Sequence, residues 1–323
     1  METGIGPAEP GAMDAGGLTA FEELRPRLTG LAYRMLGEVQ EAEDAVQDAY
    51  LRWNGTDRAA VAEPRAWLIK VVTNLCLNRL ASARARRETY TGPWLPEPVP
   101  GGAGGLGARV LGPLETAEQR DSVSLALLML MESLTPAERA VYVLREAFGY
   151  KHRDIAGVLD VSETASRQLH RRARQRVASA ERRFAPPGER WRRLVERFLD
   201  AAVRGDLAGL EAVLAEDVVS WSDGGGKVTA ARNAVTGRVR MARYIAGLAR
   251  RALELPGVSV EPSVEDVNGA PGLVVRVDGE VTMVVGLEAS GDRITAVHAV
   301  LNPDKLAFAA RALSRSGRLP GPS

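Results

Sequence analysis

Cysteine is almost missing from this chain. Among 323 residues only Cys76 occurs, so no disulfide can form within it. Histidine is scarce too: His152, His170 and His298 stand far apart, and no Cys/His cluster has zinc spacing. No apolar run reaches the roughly 18 residues that would mark a membrane-spanning helix. The opening METGIGPAEPGAMDAGG has neither a basic start nor an apolar core, so it reads as a disordered tail rather than a signal peptide. These absences point to the cytoplasm, with no membrane partner. A strong net charge is also lacking: 42 Lys and Arg against 41 Asp and Glu leave +1, which excludes a uniformly basic nucleic-acid coat but not local asymmetry.

What is present is a 45% hydrophobic chain long enough for two or three domains. Phe21, Leu24, Leu28, Leu31 and Met35 recur at helical spacing up to Gly37. Ala42, Ala45, Val46, Ala49, Tyr50 and Trp53 mark a second helix, and Pro64 opens a third bearing Trp67, Leu68, Val71, Val72, Leu75, Cys76 and Leu80. We read residues 18–90 as one all-helical unit, after a tail at 1–17. A Pro/Gly-rich linker, 91–116, follows. Trp94 and Leu95 are unexpected in such a segment.

A second helical unit spans 117–184. Thr135, Pro136 and Glu138 form a capping-box pattern. A short helix with Ile155, Val158 and Leu159, a turn at Asp160-Val161 and a basic helix capped by Ser162 give a helix-turn-helix layout. Beyond FAPPGER, residues 189–308 begin with helices and continue as the hairpin-linked strands VSVEPSVEDV, GLVVRV, EVTMVVGLEA and RITAVHAVL, an α+β pattern with an antiparallel sheet. Residues 309–323 read as a C-terminal tail.

Charge sorts by segment. Every charge from Glu38 to Asp48 is negative, and every charge from Arg65 to Arg87 is positive. Arg167, Arg171, Arg172, Arg174 and Arg176 crowd the last helix of the second unit. One such run is usually a solvated face, but two on separate helical units, one of them a helix-turn-helix, favour DNA. The stretch SDGGGKV imitates a phosphate-binding loop. It fails the test, because Val228 follows Lys227 and no glycine stands five positions before Gly226. The glycines are better suited to a tight turn that lets another segment approach closely.

AYRMLGEVQEAEDAVQDAYLRW and EPRAWLIKVVTNLCLNRLAS resemble region 2 of sigma-70-family sigma factors of the extracytoplasmic-function group. LTPAERAVYVLREAFGYKHRDIAGVLDVSETASRQLHRRARQRV resembles region 4. The helices and strand meander of the third unit resemble the SnoaL-like, NTF2-type fold. GPWLPEP, DGGGK and NPDKL are similar to the marks of sigma factors with a SnoaL-like C-terminal extension, the group that includes the SigJ-type proteins. The resemblance implies a multidomain fold: two all-α sigma domains, then an α+β cone with a curved antiparallel sheet and a conical pocket.

It also implies partners and roles. Glu41, Asp44 and Asp48 would contact core RNA polymerase at the β′ clamp helices, with the β flap as a second contact on the polymerase. Asn74, Trp67, Asn78, Arg79, Arg84, Arg86 and Arg87 would serve the −10 element, Asn74 by reading an unstacked base. The spacing of Trp67 with Val71 and Leu75 favours core packing for that ring. Thr164, Arg167, Gln168, Arg171, Arg172 and Arg174 would face the −35 element, and His170 would be a surface or phosphate-side residue rather than a base reader.

The third domain would regulate the sigma unit in cis, in place of a separate anti-sigma protein. The residues singled out for this are Trp94, Leu95 and Pro96 in the linker, Asp223, Gly224, Gly225, Gly226 and Lys227 in the turn, and Asn302, Pro303, Asp304 and Lys305 after the last strand. No cofactor or metal is expected. The competing reading is a small-ligand sensor or a cyclase-like enzyme using Asp217, Asp223 and His298.

Overall fold

The computed structural model describes residues 15–101, 106–112, 122–181, 189–254 and 256–315. The expected N-terminal tail lies outside the described residues up to Ala15, where α1 (Ala15–Leu36) begins. α2 (Val39–Asn54) and α3 (Pro64–Glu88) pack on α1 as the periodicity predicts, with Phe21, Leu28, Leu31, Trp53, Leu68 and Val72 buried between them. Cys76 is a free thiol in this core, and burial pushes its pKa up to about 12. Gly37, at φ 74°, closes α1 by donating to the Tyr33 carbonyl.

The linker is more structured than its composition suggests. It holds a short helix, α4 (Leu106–Leu111), and Leu95 and Val99 are fully buried. The second helical unit comprises α5 (Leu125–Leu130), α6 (Pro136–Tyr142), α7 (His152–Leu159) and α8 (Glu163–Glu181). The Thr135–Glu138 capping box forms as expected. The helix it opens runs on through a π-helical turn, Val143–Ala147, before Gly149 turns the chain. The cores of the two helical units are continuous, so the units pack directly on each other.

The third unit opens with α9 (Glu189–Arg204) and α10 (Leu207–Val213). Its strands are β1 (Leu214–Asp223), β2 (Val235–Thr236), β3 (Val260–Val267), β4 (Ala270–Val277), β5 (Glu280–Ser290) and β6 (Arg293–Val300). Helix α11 (Arg238–Leu253) precedes β3. The sheet order is β2-β1-β6-β5-β4-β3. It is antiparallel except between β1 and β6, which run parallel because the last strand returns beside the first; the expectation of a wholly antiparallel sheet is corrected to that extent. Asn268-Gly269 and Asp278-Gly279 have positive φ at both positions, the requirement of a type I′ hairpin turn.

Helices α9 to α11 cover one sheet face, burying Trp191, Phe198, Leu210 and Met241. The other face packs against Leu95 of the linker, Leu125 of α5 and a final helix, α12 (Pro303–Arg315). Residues 309–315 are therefore helix rather than tail: Ala309 packs on the sheet, while Phe308 and Ala312 reach the core of the sigma-like units. No helix among the described residues is long and apolar enough to cross a membrane.

Candidate DNA-reading faces and the interdomain clasp

Helix α8 is fixed at its start by the Ser162 hydroxyl, which accepts from the Ala165 amide at 3.1 Å. Asp160, at φ 52°, makes the left-handed turn before it. Ala173 and Val177 are fully buried, so the opposite face is turned outward: Thr164, Arg167, Gln168, Arg171, Arg172 and Arg174 are all exposed. Arg167 pairs with Glu163 at the surface, a contact that restrains its guanidinium only weakly, and Arg172, itself exposed, pairs with the buried Glu138 carboxylate. His170 is not the surface residue expected. It is half-buried, with Nε2 2.6 Å from Glu146 Oε1, and this hydrogen bond holds the Glu146 carboxyl below its usual range.

On α3, Asn78 is exposed, Asn74 is half-buried, and Trp67 packs on Trp53 with ring centroids 5.5 Å apart. Arg79 departs from the DNA role. Its guanidinium crosses to α2, 3.0 Å from Glu41 and 2.6 Å from Asp48. Two of the three expected polymerase contacts are therefore occupied within the chain. Asp44 stays exposed, accepting from Gln40 at 3.0 Å and from no other of the described residues. The side chains of Arg84, Arg86 and Arg87 lie outside the described residues.

Polar contacts tie the two helical units together. Lys70 of α3 donates to Asp160 at 2.6 Å and to the Gly157 carbonyl at 3.0 Å, both at the end of α7. Arg139 of α6 is buried and donates to the Met35 carbonyl of α1 at 2.7 Å. Arg34 of α1 is buried as well, donating to Ser122 Oγ at 2.7 Å and to the Leu111 carbonyl of α4. Burial lowers both buried arginines to about 9, which leaves them charged at neutral pH.

The linker and the third unit meet at Asp223, the last residue of β1. Its carboxylate is fully buried and accepts from Tyr90 Oη at 2.6 Å, the Leu95 amide at 2.9 Å, the Gly225 amide at 3.0 Å and Lys305 Nζ at 2.7 Å. Lys305 also donates to the Leu95 carbonyl and lies 4.3 Å from the centroid of the Trp94 ring, a cation–π contact. Asn302 donates to Tyr90 Oη at 2.8 Å and caps α12 through Asp304 N. Pro303 is the first residue of that helix.

The trio of glycines makes the turn. Lys227 and Val228 donate back to Gly224, while Gly225 and Gly226 take φ 61° and 71°. A Cβ on Gly225 would lie 2.3 Å from Asn302, so the bare backbone is what admits the partner. Lys227 does not anchor the linker; it pairs with Asp304 of its own domain at 2.6 Å.

Two linker contacts escaped the sequence reading. Glu97 Oε2 accepts from the Val39 amide at 2.6 Å, so the linker supplies the N-terminal cap that Glu38, with no side-chain cap bond, does not provide to α2. Pro96 of the expected trio sits beside Gly37 just before it. Asn268, at the β3–β4 turn, is a junction of three segments. Its Nδ2 donates to Tyr33 Oη of α1 and to the Val123 carbonyl, each at 2.7 Å, and its Oδ1 accepts from the Val99 amide at 2.8 Å. Tyr33 Oη in turn donates to the Glu97 carbonyl at 2.7 Å. The Asn-Gly pair announces a hairpin, but nothing local announces these partners.

Burial pushes the Glu97 carboxyl up to about 7, against the opposing pull of the Val39 amide. An acid whose pKa is higher when folded binds its proton more tightly in that state. The resulting stability is complete below the unfolded value near 4.5 and is lost as pH rises through 7. The shift corresponds to on the order of 3 kcal/mol. Urea midpoints should therefore fall between about pH 5 and about pH 8, and Glu97→Gln should flatten that slope. An unchanged slope in the variant would show that Glu97 does not carry the dependence.

The residues proposed for acid–base chemistry do not converge. Asp217 is exposed, Asp223 is consumed by the clasp, and His298 lies 2.5 Å from Glu288 and stacks on Trp221. None of the three hydrogen-bonds another. No group of three His, Cys, Asp or Glu among the described residues could hold a metal ion.

Residues 20–86 match the family described as sigma-70 region 2, and residues 124–177 match sigma-70, region 4. The chain is 36% identical over 296 residues to the ECF RNA polymerase sigma factor SigJ of Mycobacterium tuberculosis, across 89% of this chain and 92% of the relative. It is 30% identical over 288 residues to the probable ECF RNA polymerase sigma factor SigI of the same species, across 89% and 93%. The crystal structure of the M. tuberculosis extracytoplasmic function sigma factor SigJ superposes with a TM-score of 0.71 at 34% identity, covering 90% of this chain and 98% of that one.

Proposed function

Because this chain belongs to the extracytoplasmic-function sigma factors of the sigma-70 family, and so directs promoter-specific initiation by core RNA polymerase rather than catalysing a reaction, we propose that its C-terminal domain is a built-in brake. The domain holds the linker, and the linker holds the two DNA-reading units in an arrangement unable to span a promoter. In this reading the exposed residues of α8 serve the −35 element, Asn74 and Asn78 serve the −10 element, and Asp44 leads the polymerase contact. The fused domain takes the place of a separate anti-sigma protein.

One observation carries the reading: Lys70 of the −10 helix bonds directly to Asp160, two residues before the capping Ser162 of the −35 helix. The centres of the two promoter elements lie about 25 base pairs apart, roughly 85 Å at 3.4 Å per pair. Units in van der Waals contact cannot bridge that separation on a continuous duplex. Activity therefore requires Lys70 to leave Asp160, Arg139 to leave Met35, and the shared apolar core to part.

Fluorescent labels at Glu63→Cys and Gln175→Cys, both exposed positions, would report the separation. Energy transfer should be high in the free chain and should fall on forming the open complex with core polymerase and promoter DNA, as the apparent distance rises by tens of Å. A distance unchanged by complex formation would refute the brake.

A further inference from the structure

The side of the C-terminal domain turned away from the sigma units carries a second surface. Helices α9, α10 and α11 cover the sheet face opposite the one that packs on the linker and α12. Helix α11, RVRMARYIAGLARRAL, has five arginines and no acid in 16 residues. Arg240, Arg243, Arg250 and Arg251 are exposed, and none has an ion pair among the described residues. Other arginines of the same domain do: Arg190 with Asp292, Arg193 with Glu189, Arg204 with Asp200. The unpaired charge on α11 is concentrated: four of its five arginines are exposed without an ion pair among the described residues.

Apolar side chains stand exposed beside it. Val203, Leu207 and Leu248 keep 41%, 43% and 46% of their surface. Val203 and Leu207 form one wall of a groove of about 530 Å³ whose other wall is Arg243 and Arg250. Ala246 and Gly247 line it as well, and a Cβ on Gly247 would meet nothing within 4 Å. Glu254 is the one acid in the lining. The charged wall is long: Arg243 and Arg250 are seven residues apart, about 10 Å along the helix.

We propose that this groove docks an acidic amphipathic segment of a partner protein, its apolar ridge against Val203 and Leu207 and its carboxylates against Arg243 and Arg250. Shape and chemistry select this occupant. A phosphate backbone would use the arginines but gain nothing from exposed valine and leucine, and a flat membrane surface could not enter the groove. A polypeptide ridge uses both walls, and the small residues between them leave it room. Arginine suits the task because its fork can hold a carboxylate through two hydrogen bonds.

The test uses the full chain and a synthetic, fluorescein-labelled helical peptide with glutamates on one face and leucines on the other. Anisotropy should show saturable binding that weakens as salt is raised. Arg243→Glu with Arg250→Glu should weaken it at least tenfold, and Leu207→Asp several-fold. These side chains are exposed and unpaired, so thermal melts should be unchanged and the loss attributable to the surface. Equal binding by the double variant overturns the proposal. So does failure of the peptide to bind while a labelled random DNA duplex, or phosphatidylserine vesicles, bind in a manner sensitive to the same substitutions. The first of those outcomes would assign a nucleic-acid surface and the second a membrane surface.

Discussion

Asp223→Ala should release the linker from the C-terminal domain and raise transcription from the chain's own promoters at limiting polymerase. The Asp223 carboxylate accepts from Lys305 at 2.7 Å, and Lys305 is itself 7% exposed. Removing one partner of a buried pair leaves the other charge desolvated and unmatched, at a cost of about 3–5 kcal/mol. The Leu95 amide and Tyr90 Oη lose their acceptor in the same step. Even about 3 kcal/mol acting on the closed state alone would move a closed–open equilibrium by about two orders of magnitude. Run-off transcription measures the gain, and limited proteolysis across residues 88–101 should show faster cleavage. Lys305→Met with Asp223→Ala should recover part of the closed state, because it removes the stranded charge. If D223A neither opens the linker to protease nor changes run-off yield, the clasp is ornamental and the brake lies elsewhere.

Asn268→Ala should open the molecule from the opposite end of the linker. The amide satisfies the Val99 N–H, the Val123 carbonyl and Tyr33 Oη in a site where Asn268 itself is 2% exposed. Each group left unsatisfied costs about 1–3 kcal/mol. The backbone adds to this, since φ is 53° and alanine tolerates the left-handed region less well than asparagine. A total of roughly 3–5 kcal/mol is expected, visible as a lower urea midpoint. Asn268→Gly is the informative control. It relieves the backbone while still losing the side chain, so it should recover only a small part of the loss. Recovery of full stability in N268G would mean that turn conformation, not the three-way junction, matters.

These two sites show where sequence reading reaches and where it stops. Trp94 and Leu95 were legible because a tryptophan in a Pro/Gly-rich segment demands a partner, and the GGGK turn offered a place of close approach. The capping box at Thr135 and the cap at Ser162 were legible because their hydrogen bonds close within three residues. Asn268 and Glu97 were not. Their partners stand up to 235 positions away for Asn268 and 64 for Glu97, and no spacing rule links such pairs. Arg79 was read with the basic run of its helix, a sound reading of an isolated helix, yet docking α3 on α2 puts it between Glu41 and Asp48.

What the sequence alone determined is everything set within a helical turn or a strand pair: element types, caps, hairpins, the outward basic face of α8, and the three-domain order. The tertiary structure alone decided which of those charged faces are free. A charge is available to a polymerase or a promoter only if no neighbouring element has already neutralised it, and that neutralisation depends on which distant segments are brought within about 3 Å of one another. Burial then fixed the stakes, because the same carboxylate that would be a minor surface group in water becomes, at Asp223, the point on which linker, strand and final helix all close.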